Sequence, residues 1–120
     1  MDWQSWIFAG VLVVLFVAFR RIELVSPNRA RRLLDQDGKI IDVRNRSEFQ
    51  AGHLSGALNI PLGELKERIR QEAKDLNQPL LLHCLGGGRS ALAKRMLRQM
   101  GYRTVVNLGS YRRAKRVATR

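Results

Sequence analysis

The stretch PLLLHCLGGGRSALAKRMLRQMGY, Pro79 to Tyr102, decides how the rest of the chain is read. Pro79 opens an apolar run that ends at Cys84, and three glycines, Gly86, Gly87 and Gly88, follow almost at once. From about Arg89 the apolar period changes. Leu92, Ala93, Met96, Leu97 and Met100 fall on one side of a helix, and Lys94, Arg95 and Arg98 fall on the other, with Gly101 placed to end it. A short apolar run, a glycine loop and an amphipathic helix make a buried strand feeding a helix. Met96 and Met100 are expected in the core rather than in a site.

Working outward, the same alternation recurs. Upstream, IELV reads as a short strand, Ser26 as an N-cap with Pro27 at the first helical position, and Gly38 as the stop of that helix. KIIDVR is a second strand, NRSEFQAGHLSGA a short helix and loop, and LNIP a strand fragment. LGELKERIRQEAKDL is an amphipathic helix with Leu65 and Ile69 on one face, and downstream RTVVNL closes the series as a strand. Strands alternating with helices predict an α/β fold, a small parallel sheet flanked by helices on both faces. In such sheets ligands bind beyond the carboxyl ends of the strands, which is where Cys84 falls.

The chain has 120 residues, and once an apolar N-terminus is set aside there is room for one domain. The expected division is residues 1–21 as an anchor, 22–109 as the domain and 110–120 as a basic tail. Trp3 to Phe19 carries no charge and as a helix would reach about 25 Å, somewhat short of a ~30 Å hydrocarbon core. Trp3 and Trp6 at one end and Arg20 and Arg21 at the other suit the two interfaces, so a single transmembrane helix is expected. A cleaved signal peptide fits less well, because Asp2 stands where basic residues belong. The arginines after the span predict a single-pass protein of the bacterial inner membrane with its domain in the cytoplasm.

Lys and Arg number 22 against 10 Asp and Glu, a formal charge of +12, and no acidic residue follows Asp75. This balance favours an anionic partner. The basic segment SYRRAKRVATR is equally consistent with a solvated end and with contact to anionic lipid. Specific nucleic-acid binding is not expected, since no recognised motif accompanies the charge.

One cysteine cannot form an internal disulfide. The loop from Leu85 to Arg89 can turn backbone N–H groups toward Cys84, because glycine tolerates the dihedrals this requires. With a helix N-terminus and the Arg89 guanidinium nearby, the thiol is expected to ionise readily and act as a nucleophile. His83 is a tempting base, but adjacent strand residues point to opposite faces, so it is set aside.

These residues resemble a known family. CLGGGRS is similar to the C-x-x-G-x-R-S active loop of rhodanese-like sulfurtransferases, and DVRNRSEFQAGHLSGALNIP, Asp42 to Pro61, resembles the second signature of that family at the expected distance upstream. The resemblance implies the rhodanese-like fold and a Cys84 persulfide, formed from thiosulfate or another persulfide and discharged to a thiol acceptor, small or protein-bound. It implies a substrate cup made by Leu85, Gly86, Gly87, Gly88 and Arg89, with Asp42, Arg44, Glu48, His53 and Ser90 as supporting residues. No cofactor or metal is called for. Cysteine phosphatases of related fold resemble C-x5-R, whereas this loop is C-x4-R and makes a smaller cup. A docking module without turnover is the other alternative, although such modules typically lose the cysteine that this chain keeps.

Overall fold

Three consecutive leucines need cover on both faces of a strand, and the topology provides it. In the computed structural model, which describes residues 2–20 and 22–119 apart from the side chains of Phe19 and Arg20, β3 (Leu80–Cys84) is buried at every position. It lies between β1 (Lys39–Asp42) and β4 (Val105–Ser110), with β2 (Leu58–Asn59) outside β1, in the order β2-β1-β3-β4 with all pairs parallel. Parallel neighbours require crossovers, and these are the helices read from the sequence. The α4 helix (Leu65–Glu72, entered through a 3-10 turn at Leu62–Glu64) and α5 (Gly88–Gln99) cover one face. On the other face lie α2 (Pro27–Asp35) and α6 (Tyr111–Ala118), while α3 (Arg46–Ala51) links β1 to β2.

Each face has its own core. Leu80, Leu82 and Cys84 point into the first, with Leu65, Ile69, Ala93 and Leu97, and Met96 and Met100 pack at its margin as expected. Leu81 points into the second, with Ala30, Leu33, Val106, Ala114 and Val117. A fully buried leucine contributes roughly 1.5–3 kcal/mol, so the β3 leucines form the energetic centre of the sheet.

Several local expectations change. IELV is not a strand: only Leu24 bridges to Asn107, and the Val25 N–H donates to the Asn107 carbonyl. The segment expected as a basic tail is helical from Tyr111. Ser110 caps it by accepting the Arg113 N–H, and Ala114 and Val117 are buried in the second core. Its arginines hid the amphipathic period, since two small apolar residues three apart are a faint signal. Between Leu82 and His83 the pairing with β4 shifts by one residue, so that Leu82 faces Asn107 while His83 faces Gly109. This bulge sits beside the end of β3, where such features re-aim side chains.

The N-terminal run forms α1 (Trp3–Arg20), whose described side chains from Trp3 to Ala18 are all exposed. Among the described residues no helix is long and apolar enough to cross a membrane, so the expected transmembrane span has no support here. The 18 residues of α1 rise about 27 Å, somewhat short of a ~30 Å core. The side chain of Arg20 and all of Arg21, called as interfacial anchors, lie outside the described residues, as does the side chain of Phe19 at the end of the uncharged run.

The two-core arrangement makes a sharp contrast in stability. Leu82→Ala should lower the unfolding free energy by about 2–5 kcal/mol in urea titrations, whereas Arg112→Ala, on the exposed side of α6, should change it by no more than about 0.5 kcal/mol.

Candidate functional site

Cys84 is the last residue of β3, and its Sγ points into the first core with the residue only 1% exposed. The chain then turns through Leu85, Gly86 and Gly87 and enters α5 at Gly88, one residue earlier than expected. Gly87 has φ +100°, a left-handed conformation that L side chains rarely adopt, and it turns its N–H to within 2.9 Å of Sγ. Gly86 and Gly88 have no such conformation, and a Cβ on either would meet nothing. One of the three glycines is thus demanded by the backbone. The other two leave the mouth of the loop open beside the exposed side chain of Leu85.

Burial raises the Cys84 pKa, but hydrogen bonds from the Ser90 hydroxyl and from the N–H groups of Ser90, Gly87 and Gly86 outweigh it and bring the thiol below its ordinary value. Ser90 has one hydroxyl proton, and its Oγ lies 2.7 Å from Asn107 Oδ1 against 3.5 Å from Sγ. We therefore give the larger share of the stabilisation to the backbone donors, of which the Gly87 N–H lies 2.9 Å from Sγ.

Asn107 was not read as a site residue, yet its carboxamide ties the loop together. Oδ1 accepts from Ser90 Oγ and from the Gly109 N–H beside the bulge, and Nδ2 donates to the Gly87 carbonyl. The available signal was a single polar residue inside the apolar strand TVVNL, since a buried amide in a strand needs partners.

Arg89 is not free to act as a lone cation. Its guanidinium grips both carboxylate oxygens of Glu48, at 2.7 and 3.1 Å. Hydrogen bonding to Arg89 brings the Glu48 pKa down to about 2, with the Asn45 N–H as a smaller contributor. Glu48 therefore belongs beside the loop, as the partner of its arginine.

The remaining supporting residues gather on the opposite face of the sheet. Asp42 and Arg44 form a buried ion pair at 2.7 Å, and Arg44 also donates to the Gly52 carbonyl and lies 4.5 Å from the centre of the Tyr111 ring. His83 is wholly buried next to them, with Nδ1 3.4 Å from the Cys84 carbonyl and Nε2, which has no hydrogen-bond partner among the described residues, 3.6 Å from Asp42. Burial lowers its pKa, so it is held neutral on the side of β3 away from Sγ. His53 stacks on Phe49 and bonds its carbonyl, which fixes the exit from α3. Tyr111, whose ring meets both Arg44 and His83, was also missed.

A family model for the rhodanese-like domain matches residues 26–115. The thiosulfate sulfurtransferase PspE of Escherichia coli is 45% identical over 69 residues, covering 58% of this chain and 66% of that protein. The thiosulfate sulfurtransferase GlpE of Pseudomonas aeruginosa is 31% identical over 84 residues, covering 70% of this chain and 74% of its own length. A solved Escherichia coli rhodanese with anions superposes with a TM-score of 0.62 at 41% identity, covering 63% of this chain and 89% of that one. With two core layers on a parallel sheet and a cysteine loop at its carboxyl edge, the chain belongs to the rhodanese-like domain family, whose named relatives here are sulfurtransferases.

Loop geometry separates the glycines experimentally. Gly87→Ala should slow Cys84 alkylation at neutral pH and lower Tm, because it strains the backbone by about 1–2 kcal/mol and displaces the N–H facing Sγ. Gly88→Ala should leave both unchanged.

The Glu48–Arg89 pair carries a second expectation. The folded pKa of Glu48 lies below its unfolded value of 4.5, so the stabilisation is complete above that pH and fades as pH falls toward about 2. Arg89→Ala at pH 7 leaves this carboxylate unpaired beside the thiol and should slow thiol reactions about tenfold or more. Adding Glu48→Gln should recover part of the loss. Strictly additive losses in stopped-flow alkylation would show that the two residues do not act as a pair.

Proposed function

We propose that this protein carries sulfane sulfur as a persulfide on Cys84, and the observation that carries the reading is a buried thiol faced by the Gly87 N–H at the mouth of an open loop. The Cys84 thiolate attacks the outer sulfur of a donor, R–S–SH or thiosulfate. The S–S bond of the donor breaks, its electron pair leaves on R–S⁻ or sulfite, and Cys84 retains the transferred sulfur. An acceptor thiolate then attacks that terminal sulfur, forms its own persulfide, and returns Cys84 as the thiolate. Each step exchanges one S–S bond for another, so it is a ping-pong scheme without net redox change.

The N–H groups of Gly86, Gly87 and Ser90 stabilise the negative sulfur before and after transfer. No general base is required, because the nucleophile is already favoured as the thiolate, and His83 is turned away from Sγ. Leu85, Gly86 and Gly88 place no charge at the mouth, which leaves room for a donor or acceptor held on a protein as well as for a small one.

Attachment to the bacterial inner membrane through α1, with the domain on the cytoplasmic side, forms part of the same proposal. Its support is the exposed apolar surface of the helix, with Trp3 and Trp6 at one end.

Intact mass after incubation with thiosulfate, and separately with a small persulfide, tests the chemistry. Wild-type protein should gain one sulfur atom and lose it to added thiol, and Cys84→Ser should do neither while keeping its Tm. If no donor charges the wild type, the transfer reading is wrong. For the attachment, the full chain should stay in the membrane fraction through high salt and alkaline wash, and release by salt would show that charge rather than α1 holds it.

A further inference from the structure

Between the end of α1 and the outer face of α5 lies a groove of about 630 Å³. Its apolar wall includes Ala18, Ile22 and Leu92, and its cations are Lys94, Arg95 and Arg98, which recur on one side of α5 at helical spacing. Glu23 is the acid in this lining, and it meets Lys94 at 3.6 Å from a largely exposed position. Three cations therefore face one carboxylate. A second groove of about 330 Å³, lined by Val13, Val14, Val17 and Ala18, continues along α1 and shares Ala18 with the first.

We propose that the first groove binds the headgroup of an anionic phospholipid, with an acyl chain lying along the valines of α1. A free anion would use the cations and leave the apolar walls wet. A neutral lipid would use the walls and leave an unbalanced cluster of positive charge. An amphipathic anion satisfies both halves at once, and anionic headgroups at a membrane surface attract each nearby Lys or Arg. The exposed cations of α6 belong to the opposite face of the sheet and line neither groove. Gly88 and Asn107 contribute to the first groove, so the lipid would sit behind the loop that holds Cys84.

The inference rests on attachment through α1, and the two are separated by running the full chain against vesicles of phosphatidylcholine alone and of phosphatidylcholine with phosphatidylglycerol. Flotation with both vesicles reads the attachment; failure to float on phosphatidylcholine would overturn the attachment and the lipid site with it. Native mass spectrometry from mixed-lipid nanodiscs reads the site, where phosphatidylglycerol should be retained in preference to phosphatidylcholine. Arg95→Gln with Arg98→Gln should cut that preference about tenfold or more, with flotation and Cys84 persulfide formation unchanged. Equal retention of the two lipids, a preference untouched by the double variant, or full displacement by inorganic phosphate would each overturn the proposal while leaving the attachment standing.

Discussion

A sulfur that is almost wholly buried and yet has to carry negative charge is the constraint on which this structure turns. Burial alone would keep the Cys84 thiol protonated. The chain meets the constraint chiefly with backbone, because N–H dipoles fixed by a loop need no reorganisation when the charge appears. Such a loop must itself be held. Gly87 supplies the left-handed turn, and Asn107 holds its carbonyl from the next strand through an amide that also takes the Ser90 hydroxyl and the Gly109 N–H.

The segment from Asn45 to His53 acts as a strap across both faces of the sheet. On the side of the thiol it offers Glu48 to Arg89, and on the other it offers the Gly52 carbonyl to Arg44, itself paired with Asp42 and packed on Tyr111. A short helix with no buried residue of its own has little hydrophobic reason to stay in place. Charge-assisted bonds to two arginines give it one, and they couple its position to α5 and α6 together.

The distribution of positive charge fits this division of labour. Arg44, Arg89 and Arg113 are spent inside the domain on carboxylates and carbonyls, whereas Arg95, Arg98, Arg112 and Arg116 remain on the outside. The composition that first suggests an anionic partner is therefore a sum over two populations, and only the second is available to one.

Local periodicity made much of this legible without a structure. The change from an apolar run to a helical repeat across Gly86 to Gly88 placed Cys84 at the end of a strand, and alternation along β3 placed His83 on the other face from it. Those signals depend on residues one to four apart, which share a face by geometry alone. What the sequence did not disclose depends on distance in the chain. Glu48 and Arg89 are 41 residues apart and Asn107 and Gly87 are 20 apart, and no periodicity connects them. Likewise the burial of Ala114 and Val117, which turns an apparent basic tail into part of the second core, exists only because α2 and β4 present a surface for α6 to cover. The sequence by itself determined the strand, loop and helix around the thiol and where it emerges; the tertiary structure decided which side chains hold it there, because a hydrogen bond needs two groups brought together and only the packed sheet brings them.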